Sequence, residues 1–307
     1  MSEKMTISDE ELAEQRAGID RIKAPSRLRV VAGRFSRSVQ GRIGFALLAL
    51  MFLLAFAGPH LGRWTYTDKD FMAFLQPPSA EHWWGTLQTG ADVYAVTLRG
   101  MQKSLIVGLL AAVIGTTLAA VVGAFAGYFM GWADRSLTWI TDLMLVLPAF
   151  LILAIMSPLF AEGQWPLFVL VLALFLWMVT SKIVRSMTIS LKEREFIQAA
   201  RFMGVSPVRI IFRHVIPNMS SLLAVDATLN VSAAILTETS LSYFGFGIQP
   251  PDVSLGSLIA DGAKTAVYAP WTFWFCAGLL IVTVLAVNLV GDSLRDAFDP
   301  TAKRAGQ

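Results

Sequence analysis

The sequence predicts an all-α, polytopic membrane protein with six transmembrane helices, and three observations carry that expectation. Of the 307 residues 55% are hydrophobic and only 15% charged, well short of the quarter or so that charged residues make up in soluble domains. Apolar runs long enough to cross roughly 30 Å of hydrocarbon recur along the chain. Two clusters of basic residues stand between them in positions that orient the whole set.

The runs follow in order. Residues 1–40 read as a cytoplasmic tail. Its start, "MSEKMTISDEELAEQRAGID", lacks the basic-then-apolar order of a cleavable signal, so the first span, 41–62, is expected to remain as an anchor. Residues 63–100 read as an extracytoplasmic segment. A five-helix core is expected over 101–291, with charge-free runs at 104–133, 163–181 and 265–291. Two further core spans carry acids, Asp142 within 137–161, and Asp226 and Glu238 within 219–239. Residues 292–307 form a second cytoplasmic tail.

Charge orients these spans. Residues 21–42 hold seven bases and no acid, and 182–213 hold seven bases against Glu193 and Glu195, whereas 58–103 balances four bases with four acids. With six spans the two basic segments share one side, which the positive-inside rule assigns to the cytoplasm together with both termini. A cytoplasmic, or inner, membrane location follows, with the lipid bilayer as a partner and no nucleic acid.

Inside the membrane, Gly123, Gly127 and Gly131 recur every fourth residue, a spacing that lets helices approach closely. Pro148 removes a backbone donor and is expected to bend the third span. Asp142, Asp226 and Glu238 must face protein, water or an interface rather than acyl chains. Asp142 and Glu238 read as boundary residues and Asp226 as the deepest polar contact. Trp64, Trp83, Trp84, Trp165, Trp271 and Trp274 are expected to form an interfacial aromatic belt. The single cysteine, Cys276, excludes an intrachain disulfide and a thiolate metal cluster. Three histidines divided between the two faces exclude a three-histidine metal site.

The polar segment 190–218 is the most informative stretch. A short helix is expected over 195–203, with Phe196, Ala199, Ala200 and Met203 at i, i+3, i+4 and i+7. Gly204 can end it at positive φ. Ser206 can cap a second helix with Pro207 at its first position, along which Val208, Ile211, Phe212 and Val215 form an apolar stripe until Pro217 interrupts it. Such a pair can lie in the headgroup layer or press into a groove of a soluble protein.

"QAARFMGVSPVRIIFRHVIPN" resembles the cytoplasmic signature loop of binding-protein-dependent ABC transporter permeases, with Ala199, Ala200, Gly204, Ile211 and Pro217 at matching positions. Its extension through His214, Pro217 and Asn218 is most similar to the dipeptide, oligopeptide and nickel branch, as the second, C-type permease subunit. "PPSAEHWWGTLQTGADVYAVTLRG", "VVGAFAGYFMGWADRSLTWITDLMLVLPAFLILAI", "ILTETSLSYFGFGIQPPDVSLGSLIADG" and "VNLVGDSLRDAFDPT" resemble further segments of that family, so the likeness extends over about residues 41–301. Three departures stand out. The signature usually opens with an acid where this chain has Gln198, and the outer "GTDELGRD" pattern has Asp and Arg where Leu87 and Ala91 stand here.

The resemblance implies a type I ABC importer permease fold and the import of di- or oligopeptides, with nickel or another small solute as the alternative. It implies a second homologous permease, two ATP-binding subunits and an extracytoplasmic substrate-binding protein as partners. The chain lacks a phosphate-binding loop, so no catalytic residue, metal or cofactor is expected in it, and ATP and Mg would be used by the partner subunits. Coupling to the ATPase would fall on Phe196, Gln198, Ala199, Ala200, Gly204, Ser206, Pro207, Ile211, His214 and Pro217. An ion-driven secondary carrier is the rival class, kept open by Asp226 and Pro148. A membrane enzyme is a weaker one, since no nucleophile elbow is present.

Overall fold

Eleven helices account for most of residues 27–160 and 163–298, the parts of the chain that the structure, a computed structural model, describes. Arg21 and Lys23 of the first basic cluster, and most of both expected tails, lie outside the described residues.

Helix α1, Arg27–Arg37, and α2, Val39–Ala57, are separated by Ser38, whose hydroxyl accepts from the Gly41 N–H at 3.1 Å and so caps α2. The expected polar tail is therefore helical from Arg27 onward. It is also docked: the Arg34 guanidinium donates to the Ala297 carbonyl, and Ser38 lies 3.3 Å from Ser293.

Helix α3, Val93–Phe129, is the axis of the molecule. Its N-terminus is capped by Asp92, whose carboxylate accepts from the Ala95 N–H at 2.9 Å. Its 37 residues rise about 55 Å at 1.5 Å per residue, far more than the hydrocarbon needs. It starts eleven residues ahead of the charge-free run because Arg99 and Lys103 interrupt the hydropathy but not the helix. The Arg99 guanidinium donates to Gln102 at 3.0 Å and sits 4.8 Å from the Tyr66 ring centroid. Lys103 pairs with Asp252 at 2.8 Å and lies 4.2 Å from the Trp165 ring centroid.

Helix α6, Trp165–Lys192, runs parallel to α3 in close contact. A Cβ added at Gly115 would stand 3.1 Å from Leu176, one at Gly123 2.4 Å from the Ser181 carbonyl, and one at Gly127 2.6 Å from the Arg185 carbonyl. Two of the three expected packing glycines thus act as such. Gly131 does not: it has open space around it and a φ of +59°, and it opens the next helix.

That element is α4, Gly131–Val146, followed by α5, Ala149–Met156. The Pro148 ring drives Leu147 into extended backbone (φ −73°, ψ 126°), and the expected bend is a break of 78°. Five of the described helices are long and apolar enough to cross a membrane, and six spans result if the α4–α5 pair counts as one.

The chain continues through α7, Glu195–Phe202, and α8, Pro207–Ile210, to α9, Ser220–Tyr243, which runs antiparallel to α3. Helix α10, Leu255–Thr265, is capped by Ser254 and packs against α3, α9 and α11, Trp271–Phe298. The last span starts six residues later than expected, behind Pro270, and takes up the first residues of the expected C-terminal tail.

Three of the four apolar clusters among the described residues mark out the length of the bundle. One, near residues 58–92, contains Leu98, Met101 and Leu258. The middle one contains Leu153, Phe168 and Leu241. The third, next to α7, contains Val184, Ile197 and Ile211. The tryptophan belt needs correction. Trp84 stacks on Phe275 and Trp271 donates to the Thr86 carbonyl, which knits the 58–92 segment to the last helix, while Trp64 stacks on His82 within the segment itself. Trp83 and Trp274 keep exposed faces.

Candidate functional site

Residues 190–218 form a two-helix projection at the end of the bundle opposite the 58–92 segment. Helix α7 ends in a Schellman motif: Gly204 adopts φ +78°, its N–H bonds the Arg201 carbonyl at 3.0 Å, and the Val205 N–H bonds the Ala200 carbonyl at 3.1 Å. The glycine is required because an L side chain is strained at that φ. Ser206 is extended and precedes Pro207, the first residue of α8, without a side-chain cap bond.

The chain then widens into a π-helical turn, Ile211–Val215, in which the Ile216 N–H bonds back to the Ile211 carbonyl. Pro217 follows immediately and has no N–H to continue the ladder. The Asn218 amide bonds the His214 carbonyl at 2.6 Å, closing this end.

Burial divides the segment into two faces, and not along the expected stripes. Ile197, Ala200, Ile210, Ile211, Val215 and Met219 face the bundle, packed among Ala124, Tyr128 and Val184. Phe196, Phe202, Met203, Val208 and Phe212 are exposed, Phe202 by 88%. The reason is length: each helix has two turns or fewer, so the bundle selects one i, i+3 pair in α7, Ile197 and Ala200, and leaves the other apolar residues outward. Of the sequence-selected positions, Ala200 and Ile211 are buried, His214 is half-buried, and Phe196, Gln198, Ala199, Gly204, Ser206, Pro207 and Pro217 are exposed. The Gln198 amide bonds the Glu193 carbonyl at 3.3 Å, beside a cleft of about 490 Å³ between α7 and the ends of α3 and α6.

The three intramembrane acids each have partners. Asp226 accepts from Thr180 at 2.7 Å, Asn230 at 2.9 Å and Thr116 at 3.2 Å, tying α9 to α3 and α6. Glu238 is fully buried in the protein, accepting from Ser242 at 2.6 Å and Ser104 at 3.0 Å. Ser104 in turn accepts from the Leu255 N–H at the start of α10. Asp142 is half-exposed and paired with Lys182.

Sequence reasoning missed two further pairs. Arg185 on α6 holds Asp134 on α4 in a fork at 2.5 and 2.6 Å, and Lys103 holds Asp252. Their members lie far apart in the chain, and no local pattern joins them. The two outer departures also have a place. Ala91 is buried and Leu87 packs on the first cluster, their backbones closing a turn through the Leu87 N–H and Ala91 carbonyl at 2.9 Å. They point into the fold rather than outward.

Comparisons agree with this architecture. Residues 119–304 match the family described as binding-protein-dependent transport system inner membrane component, and residues 26–78 match the N-terminal TM domain of oligopeptide transport permease C. The chain is 53% identical over 279 residues to the oligopeptide transport system permease protein OppC of Mycobacterium tuberculosis, covering 91% of this chain and 96% of that protein. It is 37% identical over 274 residues to a putative peptide permease protein of Brucella suis, covering 89% and 90%. The OppC protein of Bacillus subtilis is 32% identical over 273 residues, covering 88% of each. A chain of the MetNI methionine ABC transporter, solved in inward-facing conformations, superposes with a TM-score of 0.52 at 18% identity, over 66% of this chain and 97% of that one; this last likeness concerns the fold alone. With a family match across more than half its length and a relative more than half identical over nine-tenths of it, the chain belongs to the binding-protein-dependent transport system inner membrane components, as a permease of the OppC type.

Proposed function

We propose that this permease carries di- or oligopeptides inward across the cytoplasmic membrane, driven by ATP hydrolysed in separate subunits, and that α7 and α8 are where those subunits grip it. The observation that carries this reading is the two-faced projection. One face is anchored in the bundle through Ile197, Ala200, Ile211 and Val215, and the other offers Phe202, Met203 and Val208 to a groove. A short helix locked by a Schellman turn transmits a displacement that a slack loop would absorb, so closure of the ATPases biases the spans between inward-open and outward-open arrangements.

The remaining machinery follows from membership of the family: a second homologous permease, two ATP-binding subunits and a substrate-binding protein on the opposite face. The names of the relatives support peptides as cargo. Basic residues around α1 and along 182–213 support a cytoplasmic position for both termini and for α7.

The test is reconstitution of the full assembly in proteoliposomes, with labelled peptides and nickel complexes offered in parallel. Peptide uptake that needs ATP and persists without an ion gradient is the expected result. Uptake that follows a proton or sodium gradient and ignores ATP would overturn the reading, and uptake of nickel complexes alone would overturn the cargo.

A further inference from the structure

Two cavities are stacked along the same pair of helices, α2 and α3, and they differ in character. The upper one, about 320 Å³, lies at the end bearing residues 58–92; Arg99, His60 and Gln102 bring polar groups to it, and Phe56, Trp64 and Tyr66 bring aromatic rings. None of its lining residues is acidic. Arg99 bonds Gln102 and stacks on Tyr66, and the guanidinium takes part in no ion pair among the described residues. A planar guanidinium held in that way keeps donors free for a forked interaction with phosphate oxygens.

The lower cavity, about 240 Å³, begins one helical turn further along, where Leu105, Leu109 and Val113 of α3 face Leu48 and Phe52 of α2. It is apolar throughout except for Thr228, whose hydroxyl is already engaged by the Ala224 carbonyl at 2.9 Å.

The cavities are continuous in register. Leu48, Phe52 and Phe56 stand four residues apart and so share one side of α2, and His60 follows in the 3-10 turn Gly58–His60 that continues it into the upper cavity. Phe52 lines the lower cavity and Phe56 the upper, and their rings stack with centroids 6.0 Å apart. On α3, Arg99, Gln102, Leu105, Leu109 and Val113 repeat the same progression from charged to apolar. From Arg99 to Val113 the helix rises about 21 Å, the scale of one leaflet's share of the hydrocarbon.

The level is also right. Arg99 lies five residues above Ser104, where the charge-free run of α3 begins, and so at headgroup depth. The walls are fixed: the Gln102 amide holds the Ala55 carbonyl at 2.6 Å, and the Tyr94 hydroxyl holds the Gly58 carbonyl at 2.9 Å.

We infer that this groove is a binding site for a single anionic phospholipid, its phosphate on Arg99 and His60 and one acyl chain along Phe52, Leu105 and Leu109. Charge selects this occupant. A cationic site without a carboxylate favours a headgroup of net negative charge, and an apolar channel directly beneath it favours an amphiphile over a soluble anion. The bound lipid fastens α2, which is otherwise exposed on most of its surface, to the core helix α3.

The full-length permease in its assembled transporter is placed in phosphatidylcholine nanodiscs doped with phosphatidylglycerol bearing a photoreactive acyl chain. Irradiation and peptide mapping should give labelling concentrated on 48–60 and 99–113. Arg99→Gln should lower it about tenfold, the loss of one charge-assisted fork, and Arg99→Lys should keep part of it. Should Arg99→Gln fail to assemble, Val113→Trp, which fills the lower cavity and leaves the charge, must reduce labelling by a similar factor. Labelling spread evenly over all spans, or indifferent to both variants, would mean annular lipid only and overturn the proposal. Displacement of the probe by inorganic phosphate would make the site one for a soluble anion. Labelling of 48–60 and 99–113 in the isolated permease that is lost once the second permease is assembled with it would make the groove a protein interface and overturn the proposal.

Discussion

At the scale of single residues, position in the backbone decides more than side-chain chemistry. Gly204 has nothing within 4 Å of where a Cβ would stand, so its requirement is conformational rather than steric. Gly204→Val should strain the Schellman turn by about 1–2 kcal/mol, reducing peptide uptake and stimulated ATP hydrolysis in the reconstituted assembly while membrane insertion is retained; full uptake by this variant would refute a rigid coupling role. Glu238 presents the opposite case. Glu238→Leu removes the acceptor for Ser104 and Ser242 inside the protein, at a cost of about 1–3 kcal/mol, and should lower the thermal unfolding midpoint more than Glu238→Gln, which keeps a carbonyl acceptor. Gly204 was legible in the sequence because a helix end followed by "VSP" asks for a left-handed residue. The partners of Asp226 were not, since Thr116 and Thr180 lie 110 and 46 residues away and only the assembled bundle brings them together.

Among elements, close approach between α3 and α6 is the central packing event, and small residues make it possible. Gly127→Leu would press a branched side chain onto the Arg185 carbonyl and the Thr188 side chain, costing about 1–3 kcal/mol by overpacking. Cysteine crosslinking between the two helices should slow accordingly, and unchanged crosslinking with unchanged thermal stability would contradict the packing. The spans were readable as apolar runs, but their ends were not. Helix α3 continues through Arg99 and Lys103 because each finds a partner, and the Asp92 cap ahead of "VYAV" was the available sign of its true start. Pro148 announced a bend, yet a turn of 78° depends on where α5 finds its contacts, in Leu153 and its neighbours of the middle cluster. In α7 the periodicity fitted two stripes, and the bundle's choice of Ile197 and Ala200 could not be made without it.

For the molecule as a whole, pairs of opposite charge fasten each end of the bundle: Lys103 with Asp252 near the 58–92 segment, and Arg185 with Asp134 and Lys182 with Asp142 toward α7. The first is the most shielded, with side chains 8% and 18% exposed. Reversing one member, Lys103→Asp, should destabilise the assembly by about 3–5 kcal/mol, and the exchanged pair Lys103→Asp with Asp252→Lys should recover part of that in thermal unfolding. Failure of the exchange to recover anything would mean that the stacking of Lys103 on Trp165 matters more than the charge. The polar contacts of α9 bear on how the protein is made. A carboxylate released alone into hydrocarbon costs about 2.5–3.5 kcal/mol even by insertion scales, and α9 brings two. The residues on other spans that receive them, Ser104, Thr116 and Thr180, are all synthesised before α9 leaves the ribosome. Biogenesis can therefore deliver this helix sideways from the translocon onto waiting neighbours, and a chain with its segments permuted so that α9 emerged first would stall at that step.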